Sequence, residues 1–460
     1  MDANEKVSLT PDQEAEFDKA FELLTTLIDL RKADELLPLG PAAVYTASVV
    51  LWLLVYQRLK QNATLEAAVK QLIDSAPQLC RDNKRIREKT LSAKTGSYSD
   101  ARQRLPLDVA EWFARELSNS IVATAPPSLG QRRAFLLDGT TTTLAPEKEL
   151  RAAFPPASNQ HGEGVWPVAL LVVTHELESG CAMQPEIGPM YGPQAVSEVE
   201  LARACFQRLP PGSIVIGDVN FGIFSVTWAA VQAGQVPLLR LSQSRFATLC
   251  RQGVLDSQGK NWKTWAVRWK PSAKDRQSNP DLPPDAALDV LVHEVVINPH
   301  LTLRLMTRLS ESAPTAAALY GKRWEVETDI RNVKVVLDTE SIRARSEEMF
   351  RKELLTSMAA YNLVVQFRRQ AARLAKLPVK RLSFTSVWTT FRQFLMNHFS
   401  TDPAKWRERF DTALRIAMRD KLPNRPGRSY ERTVYPRRPK GSTFKKRTPP
   451  AAGPPTTITK

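Results

Sequence analysis

The stretch PPGSIVIGDVNFG, Pro210–Gly222, decides the fold. It predicts a Pro-Gly turn, a short buried strand, and an acid, Asp218, at the end of that strand. The next segment, FSVTWAAVQAG, predicts a helix that ends at Gly234, and QVPLLRLSQS predicts another strand. A strand–helix–strand unit of this kind is typical of α/β proteins.

The chain upstream repeats part of this design. After a Pro/Gly linker at 124–133, AFLLD predicts a short apolar strand ending at Asp138, and GTTTTLAP follows it. WPVALLVVTHEL predicts a longer strand, an extended piece is expected near MQPEIGPMYG, and VSEVELARACFQRL predicts an amphipathic helix. Strands followed by an alternating unit indicate an α/β core with a mixed sheet.

The rest of the chain divides by composition. KTWAVRW, LDVLVHEVVI and LTLRLMTRL are strand-like without intervening helices, which predicts a β-rich insertion separate from the α/β unit. The tail is rich in Lys, Arg and Pro, so we expect it to be disordered when free. The predicted regions are a helical 1–123, a first core part 124–240, the insertion 241–311, a second core part 312–377, a helical 378–420 and the tail 421–460. Basic groups beside the helices of 1–123 are expected to contact DNA phosphates, and the alternative is a helical cap with a solvated basic rim.

The charge balance indicates the class of partner. The 460 residues include 64 Lys and Arg against 48 Asp and Glu, a net charge of +16. Such an excess favours a polyanion, most often nucleic acid. The alternative at this point is a basic but otherwise ordinary enzyme.

Cysteine usage and hydropathy exclude other classes. Four scattered cysteines without a CxxC pair, and five histidines without ligand spacing, argue against a zinc site and a disulfide framework and fit a reducing cytoplasm. The chain begins with polar residues, so no export signal is predicted. The apolar run at 42–56 is shorter than the ~20 residues of a spanning helix and predicts a buried one.

Asp138 and Asp218 form the first candidate for chemistry. Each follows an apolar strand and precedes a turn, so the two acids are expected in equivalent places at one edge of the sheet. Either alone is explained by an Asx-type turn. Together they repel, and a divalent cation between them would make the arrangement favourable.

A second candidate is the motif YGKRWEVETDIRNVK, Tyr320–Lys334. On one continuous helix Arg323, Glu327 and Lys334 would lie within about 60° of Tyr320, on the shoulder of an apolar stripe formed by Val326, Ile330, Val333 and Leu337. The alternative is an ordinary Arg323–Glu327 ion pair on a solvated face. Glu325 and Asp329 fall on another face and are predicted to be solvated charges.

The sequence resembles the DDE transposases of IS-four-like bacterial insertion sequences. The residues that carry the resemblance are the spacing Tyr320-x2-Arg323-x3-Glu327-x6-Lys334, LLDGTTTTLAP with AAFPPASNQ, and IVIGDVNFG, where Phe221 fits the aromatic after the second Asp. The departure is Val219-Asn220, where many relatives have a basic residue and Gly. The likeness spans about 133–363.

The resemblance implies a ribonuclease-H-like core in which Asp138, Asp218 and Glu327 bind two divalent ions, Mg²⁺ or also Mn²⁺. It also implies that Tyr320, Arg323 and Lys334 contact DNA phosphates. Trp324 is a candidate base contact or a helix-packing residue, and no base-flipping role is assigned to Trp262, Trp265 or Trp269.

The implied activity is cut-and-paste transposition by a dimer acting on paired ends of double-stranded DNA in the bacterial cytoplasm, close to the nucleoid. The alternatives are a catalytically inactive DNA-binding remnant or regulator, and a metal-dependent nuclease without joining activity.

Overall fold

The structure is a computed structural model, and it describes residues 10–61, 63–75, 77–160, 162–336, 342–397, 402–419 and 421–423. The described residues up to Leu422 form one compact unit. Most of the basic tail lies outside the described residues, as does Leu337 of the predicted apolar stripe.

Helices fill the N-terminal part of the chain. The membrane-like run lies largely in a helix that is buried along most of its length. Among the residues that the structure describes, no helix combines the length and the apolarity needed to cross a membrane. The helices are α1 (Pro11–Leu27), α2 (Arg31–Leu36), α3 (Ala47–Leu59), α4 (Leu65–Ser75), α5 (Lys84–Arg87), α6 (Gly96–Arg104) and α7 (Leu107–Ala123).

A nine-stranded mixed sheet lies at the centre of the fold, in the order β5-β4-β1-β6-β7-β11-β10-β9-β8. β1 pairs with β6, and β6 with β7, in parallel; the other neighbours are antiparallel. Its strands are β1 (Ala134–Thr143), β4 (Val168–Glu176), β5 (Glu186–Pro189), β6 (Ile214–Gly217), β7 (Val236–Arg240), β8 (Val254–Gly259), β9 (Trp262–Trp269), β10 (Leu288–Asn298) and β11 (Leu301–Thr307). The short strands β2 (Ser158–Asn159) and β3 (Gly162–Glu163) pair with each other in a separate sheet.

The sheet order corrects the prediction that the β-rich segment is separate from the α/β unit. Its last strand, β11, pairs with β7 through Leu305↔Arg240 and Thr307↔Leu238. β8 to β11 therefore extend the central sheet instead of forming a sheet of their own. The unpaired edge of β7 accounts for this, because backbone N–H and C=O groups at a buried edge need partners.

Helices cover both faces of this sheet. Neighbouring residues of a strand point to opposite faces, so Leu137 and Val215 pack under α9 and α10, whereas Leu136 and Ile216 pack under α13 and α14. The helices are α8 (Lys148–Ala153), α9 (Glu198–Phe206), α10 (Phe224–Gln232), α11 (Gln243–Gln252), α12 (Ala273–Ser278), α13 (Ala313–Gly321), α14 (Trp324–Arg331), α15 (Glu347–Leu374), α16 (Phe384–Asn397) and α17 (Pro403–Ala417).

The longest helix, α15, connects this core to the N-terminal helices. Its buried residues pack against α3 and α7 on one side and α16 on the other. Ser346 begins it, with its hydroxyl accepting the Met349 N–H at 3.2 Å. Cys80, Cys181, Cys205 and Cys250 are all free thiols.

Candidate active site

The parallel pairing of β1 and β6 places the two aspartates. Leu136 lies opposite Ile216 in the register, and Asp138 and Asp218 each stand two residues further along. The two acids therefore occupy equivalent positions at the carboxyl end of the parallel pair. One detail of the prediction is wrong: Asp138 does not end its strand, because β1 continues to Thr143 by pairing with β4.

The electrostatics of the pair are those of neighbouring like charges. The pKa of Asp138 is raised to about 6, mainly by burial, and the charge of Asp218 acts in the same direction. The Gly139 N–H donates to Asp138 Oδ1 at 2.9 Å and opposes the shift. Asp218 Oδ1 accepts the Asn220 N–H at 2.9 Å, which fixes its loop. A cation beside both carboxylates would relieve their repulsion.

Gly222 allows this loop to approach β7. A Cβ on Gly222 would lie 2.0 Å from the backbone oxygen of Arg240. A backbone atom cannot swing away as a side chain can, so only glycine fits at this position. The loop that follows Asp218 thus packs directly against the end of β7.

A third acid at this edge is Glu198, which sequence reasoning missed. Its carboxylate lies over Gly139, where an added Cβ would come within 2.3 Å of Glu198 Oε1. Burial raises the pKa of Glu198, and the charge of Asp218 adds to the effect. In the sequence Glu198 is only a first-turn acid after the N-cap Ser197, so nothing there distinguishes it from an ordinary helix start.

The Tyr320–Lys334 motif does not lie on one continuous helix. α13 ends at Gly321, Lys322 and Arg323 form a turn, α14 runs to Arg331, and a π-helical segment follows at Asn332–Val336. The angles expected for an unbroken helix therefore do not apply across the whole motif. Breaks of this kind re-aim side chains, and π-helical turns occur often at functional sites.

Tyr320 and Arg323 nevertheless lie close to the two aspartates, because Asp218 acts to raise the pKa of Tyr320 and Arg323 acts to lower the pKa of Asp138. Tyr320 is 4% exposed, and its pKa is raised by burial although Arg323 and Arg240 oppose the shift. The Arg323 side chain is 12% exposed, with Nη2 at 3.6 Å from Glu327 Oε1. Arg240, at the end of β7, is a basic group that the sequence did not identify as part of the site.

Lys334 is directed at β1. Its Nζ donates to Thr140 Oγ1 at 3.1 Å and to the backbone oxygen of Thr141 at 2.9 Å. These acceptors lie two and three residues beyond Asp138 on the same strand. The ammonium group is thus held close to the acidic edge of the sheet.

The tryptophans separate into exposed and packed groups. Trp324 is 58% exposed and carries the Arg323 guanidinium 5.0 Å from its ring centroid, so it is not a helix-packing residue. Trp265 packs edge-on against Phe246, and Trp269 packs edge-on against Phe224. The aromatic surface beside the motif is therefore Trp324.

Asp329 and Glu325 are not solvated charges, which corrects the prediction. The Asp329 side chain is only 3% exposed, and Lys380 Nζ donates to its two carboxylate oxygens at 3.0 and 2.9 Å. Glu325 lies 3.5 Å from the same ammonium group, and burial raises its pKa. Lys380 belongs to a short 3₁₀ turn, Val379–Arg381, so this ion pair fastens α14 to the segment after α15.

The side chains at the sheet edge include the ligand types that a divalent cation needs, but they are only partly positioned to bind one. Asp138, Asp218 and Glu198 offer oxygen ligands, as Mg²⁺ requires. Glu327 is turned to Arg323, and within the described residues no group of three or more His, Cys, Asp or Glu side chains is close enough to hold a metal ion. The structure brings the two aspartates together, and Asp138, Asp218 and Glu327 do not form a group close enough to hold a metal ion.

Comparison with known proteins gives one family and one similar protein for this chain. Residues 129–363, just over half of the chain, match the family described as Transposase DDE domain. The chain is also similar to the transposase InsG for insertion sequence element IS4 of Escherichia coli (strain K12). The two are 24% identical over 361 residues, which cover 74% of this chain and 78% of the relative.

Proposed function

We propose that this chain, which belongs to the transposase DDE domain family, catalyses cut-and-paste transposition of an insertion sequence. The observation that carries the proposal is the β1–β6 register, because it sets Asp138 and Asp218 side by side at the edge of the sheet. Helix α14, which carries Glu327, packs against β1 at the same edge. We infer that this core is ribonuclease-H-like.

Asp138, Asp218 and Glu327 are the proposed ligands of two divalent ions, Mg²⁺ with Mn²⁺ as a substitute. When bound, two such ions stabilise the attacking and the leaving oxygens of an in-line phosphoryl transfer. For Glu327 to join the aspartates its carboxylate must leave Arg323. A DNA phosphate is the natural competitor, because a guanidinium binds phosphate with two parallel hydrogen bonds.

The chemistry on the transferred strand has two steps. In the first, a water oxygen bonds to the phosphorus at the element's end, the P–O3′ bond breaks, and the leaving 3′ oxygen takes up a proton. In the second, the oxygen of that 3′-hydroxyl bonds to a phosphorus of target DNA, the P–O3′ bond of the target strand breaks, and the proton of the hydroxyl passes to the released target 3′ oxygen. Tyr320, Arg323 and Lys334 would hold the phosphates, and Trp324 would contact a base.

The proposal extends to the DNA and the assembly. The substrate is double-stranded DNA, at terminal inverted repeats and at the target, and the helical region 1–123 is the proposed end-binding part. A homodimer would hold the paired ends. A DNA substrate also places the protein in the bacterial cytoplasm with the nucleoid.

The experiment compares the wild type and Glu327→Ala on duplexes that carry the element's end, with Mg²⁺, and scores strand cleavage and strand transfer separately. We expect wild type to perform both steps and Glu327→Ala to perform neither while still binding the duplex. Cleavage without joining by the wild type would favour a nuclease, and DNA binding without cleavage would favour a regulator. Full cleavage by Glu327→Ala would refute the role of Glu327.

A further inference from the structure

A basic groove lies beside the catalytic edge, on the face of the sheet opposite α14. It has a volume of about 910 Å³ between the starts of α9 and α10 on one side and α11, the end of β9 and α12 on the other. Its charged lining is mainly basic: Arg203, Arg245, Arg268, Lys270 and Lys274. We call it the α9–α12 groove.

The two acids in the lining, Glu200 and Asp275, are engaged in helix capping. Glu200 Oε2 accepts the backbone N–H and the hydroxyl of Ser197 at 2.6 and 2.9 Å. Asp275 Oδ2 accepts the corresponding groups of Ser272 at 2.8 and 2.6 Å. Their carboxylates are therefore held at helix starts, and Arg268 pairs with Asp289 at 3.2 Å. The excess of positive charge in the groove comes from Arg203, Arg245, Lys270 and Lys274, which outnumber the two acids of the lining.

The backbone adds to this positive character. Ile223, Phe224 and Ser225 line the groove where α10 begins, and no side chain caps that helix start. The first N–H groups of a helix carry a partial positive charge and favour phosphate.

The groove is physically joined to the proposed catalytic site. Arg245, in its wall, donates from Nη1 to the backbone oxygen of Gly222 at 2.7 Å, in the loop that follows Asp218. Ser197, also in the wall, directly precedes Glu198, which lies over Gly139. A DNA strand that crosses this edge of the sheet would pass from Tyr320 and Arg323 on one face to the groove on the other face.

We propose that the α9–α12 groove binds the phosphate backbone of the DNA that continues beyond the scissile phosphate, away from the element. This inference rests on the proposed function. The DNA beyond the cut is flanking donor DNA before cleavage and target DNA during joining, and both offer the same phosphates. With the groove, the site thus contacts several successive DNA phosphates instead of one.

The test variant is Lys270→Ala/Lys274→Ala, since both lysines are exposed on the groove wall and their loss leaves the core unchanged. The matched control, Lys260→Ala/Lys263→Ala, removes the same charge from exposed positions of the β8–β9 hairpin outside the lining. The probes are an end duplex with flanking DNA, a pre-cleaved end without it, and a supercoiled plasmid as target.

We expect the test variant to bind the flanked duplex about 10-fold or more weakly at 0.15 M salt, with a salt slope smaller by about 2, and to bind the pre-cleaved end normally. The test variant could instead bind both duplexes normally and show strand transfer from the pre-cleaved end into the plasmid that is reduced about 10-fold. That result would assign the groove to target DNA. Both results support the groove.

Test and control variants that match wild type in all three assays would overturn the proposal for the groove. The proposed function would be untouched by that result, because wild type would still cleave and join. A wild type that neither binds nor cleaves the end duplex would refute the proposed function itself. Equal losses in the test and control variants would also overturn the groove, since they would show an effect of net charge alone.

Discussion

Removing the two partners of the Asp329–Lys380 pair should have unequal consequences. Lys380→Met leaves a carboxylate that is 3% exposed without the ammonium group that lies 2.9 Å away. Breaking a buried pair in this way costs ~3–5 kcal/mol. Because Asp329 also loses the hydrogen-bond donor to both its oxygens, we expect Lys380→Met to lower the unfolding free energy by about 3 kcal/mol.

Asp329→Asn instead leaves the Lys380 ammonium group without the Asp329 carboxylate. The Lys380 side chain is 30% exposed and has Glu325 at 3.5 Å, so its charge stays hydrated and keeps an acidic partner. The expected loss is about 1 kcal/mol, in the range of partly exposed pairs. The order of the two variants, with Lys380→Met clearly the worse, follows from this difference in exposure.

The assay is urea unfolding followed by tryptophan fluorescence at pH 7.5. Lys322→Met is the matched control, since its partner Glu178 lies at 3.2 Å and both side chains are more exposed, 45% and 27%; it should cost less than about 1 kcal/mol. The reasoning is refuted if Asp329→Asn costs as much as Lys380→Met, or if Lys380→Met does not differ from the control.

Three further predictions concern the site and its surroundings. Gly222→Ala should reduce DNA cleavage more than binding, because the clash with the Arg240 oxygen displaces the Asp218 loop; cleavage equal to wild type would show that the loop adapts. Lys334→Met should weaken binding of end DNA about tenfold by losing a phosphate contact, whereas Lys334→Arg should retain most of it; an unaffected Lys334→Met contradicts the contact. Burial lowers the pKa of His175 to about 4 from 6.5. Between these two pH values the unfolded chain therefore binds a proton that the folded chain does not. The unfolding free energy should fall as the pH is lowered from 6.5 to 4, by ~3 kcal/mol at most. His175→Phe should lessen that decline in urea midpoints, and an unchanged decline would mean that His175 does not cause it.

The sequence was sufficient for local features of the fold. Strand β6 with the helix after it and the two-aspartate edge both follow from patterns within about ten residues. Asp138 and Asp218 were predictable as equivalent because parallel strands repeat the same local design. Residue types at short spacing carry this information, and no long-range contact is needed to see it.

Features set by distant partners were not predictable. Asp329 looks solvated by its helix angle, and its burial depends on Lys380, which lies 51 residues away. Glu198 reaches the site only because α9 crosses over Gly139. The break at Lys322–Arg323 also escaped prediction, since a strong helical pattern continues through it. In each case tertiary packing decides what local periodicity leaves open.

The central claim is that Asp138 and Asp218 act together as metal ligands in DNA cleavage, and Asp138→Cys tests it most directly. A thiolate offers one sulfur in place of two carboxylate oxygens and is a poor ligand for Mg²⁺, and Mn²⁺ accepts it better. Cleavage of the end duplex should fall about 10³-fold in Mg²⁺, as expected for several kcal/mol of lost transition-state stabilisation, and recover in part in Mn²⁺. If the Asp138→Cys variant cleaves the end duplex as well as the wild type in Mg²⁺, the result would contradict the account.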